Sequence, residues 1–206
     1  MKPLRAGDII GFDGSDTSDC VHLVKNVLSN GIEVVTDSRL SHLAMVWPMD
    51  VPVNGKPQVE LHIIESTILG GVDGVQLNPL AQRMADEAHG RVYAFYLAER
   101  WRDFLAWGDM WALAASKLGT DRYNVLEIAE YLARHIPFVQ EIPALYAPNP
   151  HAEVCSELVA LMLRRGGIPG LHPPVMPPQA VIELAIFECY AQLSGPPREI
   201  LRFNSI

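Results

Sequence analysis

Three residue types that together support thiol catalysis occur in suitable places along this chain. Cys155 lies at the start of an expected helix within the stretch 151–167, HAEVCSELVALMLRRGG, in which Val154, Leu158, Leu161, Met162 and Arg165 fall at helical spacing and Gly166-Gly167 end the run. A thiol in the first turn of a helix lies near the positive end of the macrodipole and near unpaired backbone N–H groups, which lower its pKa and can stabilise an oxyanion. Thiol catalysis further requires a base and a third group that fixes the tautomer of the base. His42, in LSHLAMVW, and Glu65, in VELHIIES, supply one of each. Each also has a plain structural reading: a helical cysteine as inert packing, a strand histidine as a satisfied structural group, and a strand-end glutamate as a solvated one.

The elements that must position these residues begin with a strand pair, 40–47 and 59–66, joined by PMDVPVNGKP. Its prolines and Asn54-Gly55 mark a hairpin-like connection. For an antiparallel pair centred there, facing residue numbers sum to about 107 or 109. The first sum sets His42 opposite Glu65, the second sets it two residues diagonal on the same face, and the intermediate slip to 108 separates them onto opposite faces. His62 is three residues from Glu65 on the same strand and therefore faces away from it. His89, His135, His151 and His172 fall in loops or at helix ends, although His151 comes near the thiol if the helix starts early. Cys20-Val21-His22 has no second ligand pair at metal spacing, so no metal site is expected. Gly70 to Gly74 lacks the context of a phosphate loop. Trp101, Trp107 and Trp111 read as core packing or as an apolar pocket wall.

In chain order, the spacing predicts a strand over 4–12 entered through the Ala6-Gly7-Asp8 turn, a helix over 18–29, the strand pair, and a turn-rich bend at 70–74. It then predicts a short strand at 75–77, a small helix over 79–88, a strand over 91–97 and helices over 101–118 and 125–135. An extended loop over 143–150 precedes the Cys155 helix. A proline-rich loop at 169–178, a last helix over 178–190 and a terminal strand over 198–203 complete the order. The 206 residues suit one domain. A net charge of −8 argues against a nucleic-acid partner. Three cysteines without paired spacing argue against a disulfide framework and for a reducing compartment. With no apolar leader and no apolar run of membrane length, the expectation is a cytoplasmic protein without an integral membrane segment.

Four blocks in one order resemble the circularly permuted branch of the NlpC-type, papain-like cysteine hydrolases, the YiiX/YebB-like group. They are Leu4-Arg5-Ala6-Gly7-Asp8-Ile9-Ile10, Ser41-His42-Leu43-Ala44-Met45-Val46, Ile64-Glu65-Ser66 followed by Gly74-Val75, and Cys155-Ser156-Glu157-Leu158-Val159. Met176-Pro177-Pro178-Gln179 is a looser fifth match. Residues 101–149 match nothing specific. Relatives often place an aromatic residue just before the cysteine, whereas this chain has Ala152-Glu153-Val154. The resemblance implies an α+β, permuted papain-like fold over 1–206, with an antiparallel sheet packed against helices, the nucleophile helix late in the chain and a helical insertion at about 101–135. It implies hydrolysis of an amide, peptide-like bond through a thioester on Cys155, with His42 as base and then acid, Glu65 orienting His42, and no cofactor. The backbone N–H of Cys155 would be an oxyanion donor, and Ser41 and Ser156 are further candidates for substrate or oxyanion contacts. Two alternatives stand beside this: a thiol acyltransferase or lipid acyl hydrolase, suggested by the tryptophan-rich segment, and an inactive binding module, against which the intact Cys155, His42 and Glu65 argue.

Overall fold

The computed structural model describes residues 2–13, 40–67, 74–86, 90–119, 122–123, 152–173 and 176–194. The helices expected over 18–29 and 125–135, the bend at 70–74 except Gly74, the loop over 143–150 and the strand over 198–203 lie outside them, as do Cys20, His22, His89, His135 and His151. The described chain runs β1 (Ile9–Asp13), β2 (His42–Val53), β3 (Lys56–Thr67), β4 (Gly74–Pro79), α1 (Leu80–Asp86), β5 (Arg91–Leu97), α2 (Glu99–Arg102), α3 (Trp107–Lys117), β6 (Arg122–Tyr123), β7 (Ala152–Glu153), α4 (Cys155–Arg165), α5 (Pro178–Ile182) and β8 (Phe187–Ser194). Six strands form an antiparallel sheet in the order β4-β3-β2-β1-β5-β8, and β6 and β7 form a short parallel pair. The expected α+β class with an antiparallel sheet against helices is present.

The β2–β3 hairpin turns on Asn54 and Gly55, with φ of 52° and 75°. Positive φ at both central residues defines the two-residue turn whose twist suits a hairpin, which is why Asn-Gly is placed there. That turn sets the register, with Met45 opposite Ile64 and Val46 opposite Ile63, the alternative in which facing numbers sum to 109.

Alternation along the strands divides the core between the two sheet faces. Ile9, Leu43, Met45, Ile64, Tyr93 and Phe95 lie on one side and meet Leu158, Val159, Met162 and Leu163 of α4, together with Met110 and Ala114 of α3. Each of those α4 side chains is fully buried, a contribution of roughly 1.5–3 kcal/mol apiece relative to exposure. Ile10, Phe12, Ala44, Val46, Ile63, Val92 and Ala94 lie on the other face, where Leu80 of α1 joins them. Gly166, after α4, lets the chain close on α3: a Cβ there would stand 2.6 Å from Met110 Sδ and 2.9 Å from Leu105 Cδ2.

Two expectations need correction. The helix over 101–118 is broken into α2 and α3, because the chain turns between them to bury Leu105 and to let the Ala106 N–H reach the Gly166 carbonyl at 3.0 Å. The helix over 178–190 ends at Ile182, and Phe187–Ser194 is instead the edge strand β8. Pairing with β5 overrides a helical apolar pattern here, and Phe95 holds both Phe187 and Tyr190 by ring contacts with centroids 6.4 and 6.0 Å apart.

Candidate active site

Cys155 is the first residue of α4, preceded by Val154 in an extended conformation that provides no side-chain cap. The first-turn amides of α4 thus have no capping side chain to satisfy them. The β2–β3 ladder begins at Met45 and Ile64, so Leu43 and His42 lie beyond its last pair. There the thiol enters: the backbone N–H groups of Leu43 and Ser156 and the ring of His42 all hydrogen-bond to the Cys155 sulfur.

His42 bridges outward from the sulfur to the acid. Its Nε2 stands 2.6 Å from Glu65 Oε2, which leaves Nδ1 for Cys155. In the observed register Ala44 is the position opposite Glu65, so His42 reaches Glu65 on the diagonal of a shared face, as expected for a sum of 109. The ring packs beside Phe12, its cross-strand partner on β1, with centroids 5.5 Å apart. Its side chain is 13% exposed, whereas that of Glu65 is fully buried.

Glu65 has two further partners that the sequence reading did not identify. Asn78 of β4 donates Nδ2–H to Oε1 at 2.9 Å. Arg83 of α1 places Nε between the two carboxylate oxygens, at 3.2 and 3.3 Å. Asn78 faces Ile63, so the alternation of β3 puts it on the same side as Glu65. Arg83 lies one helical turn after Leu80, and both are buried. Its guanidinium also lies over the Phe12 ring, 4.3 Å from the centroid. The spacing of Arg83 from Leu80 does not by itself mark it as buried, since that depends on which sheet face α1 covers.

The electrostatics follow from this nested arrangement. Burial alone would push the Glu65 carboxyl up, but the hydrogen bond and charge of His42, the charge of Arg83 and the hydrogen bond from Asn78 outweigh it and hold the pKa down at about 2. Burial alone would likewise lower His42, yet Cys155 and Glu65 on either side raise it to about 9. The Cys155 thiol is pushed up by burial and pulled down more strongly by His42, then by the Leu43 and Ser156 amides, so it stands below the ordinary thiol range. The site therefore favours a thiolate–imidazolium pair backed by a carboxylate and a guanidinium, four charges alternating in sign.

The remaining candidates fall elsewhere. The Ser41 hydroxyl donates to the Phe12 carbonyl at 3.3 Å and its N–H to the same oxygen at 3.0 Å, so it ties β2 to β1. Ser156 contributes its backbone N–H to the sulfur, with its side chain buried. His62 turns away from Glu65 toward Glu60, and His172 is exposed. Trp47 stacks on Trp111 and meets Trp107 edge-on, with centroids 5.5 and 5.9 Å apart. This aromatic group packs against the core five residues along β2 from His42, roughly 16 Å at the rise of a strand. Trp101, Trp107 and Trp111 are each part-buried and packed against the core, in line with the core-packing reading of this segment. Among the described residues no cluster of His, Cys, Asp and Glu could hold a metal ion, and no helix is long and apolar enough to cross a membrane. No protein-family model matches the chain, and no curated protein matches it in a sequence search.

Proposed function

We propose that this protein is a cysteine hydrolase that cleaves an amide, peptide-like bond through a thioester on Cys155. The observation that carries the reading is the position of His42, hydrogen-bonded to the Cys155 sulfur on one side and to Glu65 on the other at 2.6 Å. The thiolate attacks the carbonyl carbon, and the developing oxyanion is met by N–H groups at the start of α4. The imidazolium gives its Nδ1 proton to the departing amine as the thioester forms. Neutral His42 then takes a proton from water, whose oxygen attacks the thioester and expels the thiolate. Glu65 accepts the Nε2–H throughout and keeps Nδ1 as the working nitrogen. The permuted papain-like arrangement suggested by the motif order is consistent with this reading, as is the late position of the nucleophile helix in an α+β fold.

Incubation with peptidoglycan stem peptides, simple amides and acyl lipids, with Cys155→Ala as control, tests the proposal. Release of an amine from a peptide or amide by the parent protein and not by the variant supports it. Equal release by both proteins refutes it, and release of fatty acid alone moves the activity to acyl lipids.

A further inference from the structure

One buried charge beside the triad takes no direct part in the thioester steps. Arg83 is 3% exposed, and its Nε reaches both oxygens of Glu65, sharing Oε2 with His42. Resting on the proposed thioester chemistry, we infer that Arg83 is a positioning residue for the second half of the reaction, where it keeps Glu65 a carboxylate while His42 is neutral.

The two half-reactions make different demands on Glu65. In the free enzyme His42 is an imidazolium facing the Cys155 thiolate, and its own charge holds Glu65 ionised. Once the thioester has formed, the sulfur is uncharged and the attraction that raised His42 from that side lapses. Neutral His42 must then offer an unprotonated Nδ1 to water while Nε2–H is donated to Glu65. If the His42–Glu65 pair instead takes up a proton from solvent, Nδ1 is occupied in either distribution: as imidazolium facing carboxylate, or as neutral imidazole accepting from a protonated Glu65. The base is lost in both. A fully buried carboxylate beside a neutral ring invites that uptake, because burial disfavours its charge. A guanidinium cannot surrender its proton in exchange, so the Arg83 cation opposes the added proton at every stage.

Among the described residues, the groups facing the pair are few. Arg83 comes from α1, Asn78 and Gln76 from β4, Phe12 from β1 and Cys155 from α4. Arg83 is the lone permanent cation among them. Its loss should therefore act in opposite senses on the two steps. The resting imidazolium no longer has a second cation competing for Glu65, so thiolate reactivity persists. Deacylation, which needs the pair to release its proton, is pushed to higher pH.

The test uses the full chain and p-nitrophenyl acetate. The Cys155 sulfur forms a bond to the acetyl carbon and p-nitrophenolate leaves; water then hydrolyses the thioester to acetate and restores the thiolate. A burst of p-nitrophenolate measures acylation, and the steady rate measures deacylation. In Arg83→Gln, iodoacetamide alkylates Cys155 at close to the parent rate and the burst persists, while the acidic limb of deacylation moves up by about one unit or more. That shift slows deacylation about tenfold on the acidic side and is recovered as the pH rises. Arg83→Lys, which keeps the charge, stays near the parent limb. If Arg83→Gln does not fold, Asn78→Asp with Arg83 in place adds a negative charge to Glu65 and must move the limb the same way. An unmoved limb in a folded Arg83→Gln or Asn78→Asp, or equal losses of alkylation and deacylation, overturns the inference alone. A parent protein with no Cys155-dependent burst overturns the hydrolase reading and this inference with it.

Discussion

Glu65→Gln keeps the shape of the side chain and removes the charge on which His42 and Arg83 converge. The Glu65 carboxyl stands at about 2 in the folded protein against 4.5 for the free side chain. A group whose folded pKa is depressed stabilises the fold above its unfolded pKa, and that contribution is lost as pH falls through the folded value. The difference amounts to about 3 kcal/mol, fully present at pH 6 and fading between roughly pH 4.5 and 2. His42, raised to about 9, carries its share in the opposite sense: present below its unfolded value of 6.5 and lost as pH rises through 9. The two shifts partly report one interaction from its two ends, so they are not added. Urea unfolding followed by tryptophan fluorescence from pH 2 to 7 measures the difference directly, because every other carboxyl is common to both proteins. Glu65→Gln should be about 3 kcal/mol less stable at pH 6, with the gap closing as the pH approaches 2. A gap that stays constant from pH 6 to 2 would show that Glu65 is not held as a buried carboxylate, and the electrostatic account of the site would fail.

Three further outcomes are expected. Cys155→Ala abolishes labelling by iodoacetamide at near-neutral pH, while Cys20→Ala and Cys189→Ala retain it; equal contributions from all three cysteines would contradict a selectively lowered Cys155. The pH profile for hydrolysis of a responsive amide falls on its alkaline side near pH 9, where the His42 imidazolium is lost, and an alkaline limb more than a unit away would assign it to another group. Gly7→Ala places a Cβ 2.6 Å from Trp107 Cη2 at a backbone φ of +80°, so thermal or urea unfolding should show a loss of roughly 2–4 kcal/mol with thiol reactivity retained in the folded fraction.

The parts of the site that were legible in the sequence are those set by local chemistry. Asn54-Gly55 admits the positive φ values that a tight hairpin needs, and that turn alone brings His42 and Glu65 to one face from a separation of 23 residues. The start of α4 was legible for a similar reason, since apolar spacing and the terminal glycines bound a helix with Cys155 in its first turn. β8 was misread because its apolar residues also fit a helix, and only the neighbouring strand β5 decides between the two. Asn78 and Arg83 were missed because their roles depend on β4 and α1 folding back over the face that holds Glu65, a placement with no signature in their own segments.

The meeting of Cys155 with His42 depends on a different kind of information again. It requires the β2–β3 ladder to begin two residues beyond Leu43, so that the Leu43 amide is directed to the sulfur rather than to β3. Nothing in the alternation of LSHLAMVW marks that end, because side-chain period reports which face a residue occupies and not where pairing stops. The base and acid thus follow from one turn, while the nucleophile reaches them through a break in the ladder built by more distant packing. Perturbations should divide in the same way: a change at Asn54-Gly55 that shifts register by one residue separates His42 from Glu65 outright, whereas loss of α4 packing withdraws Cys155 and leaves the His42–Glu65 pair intact.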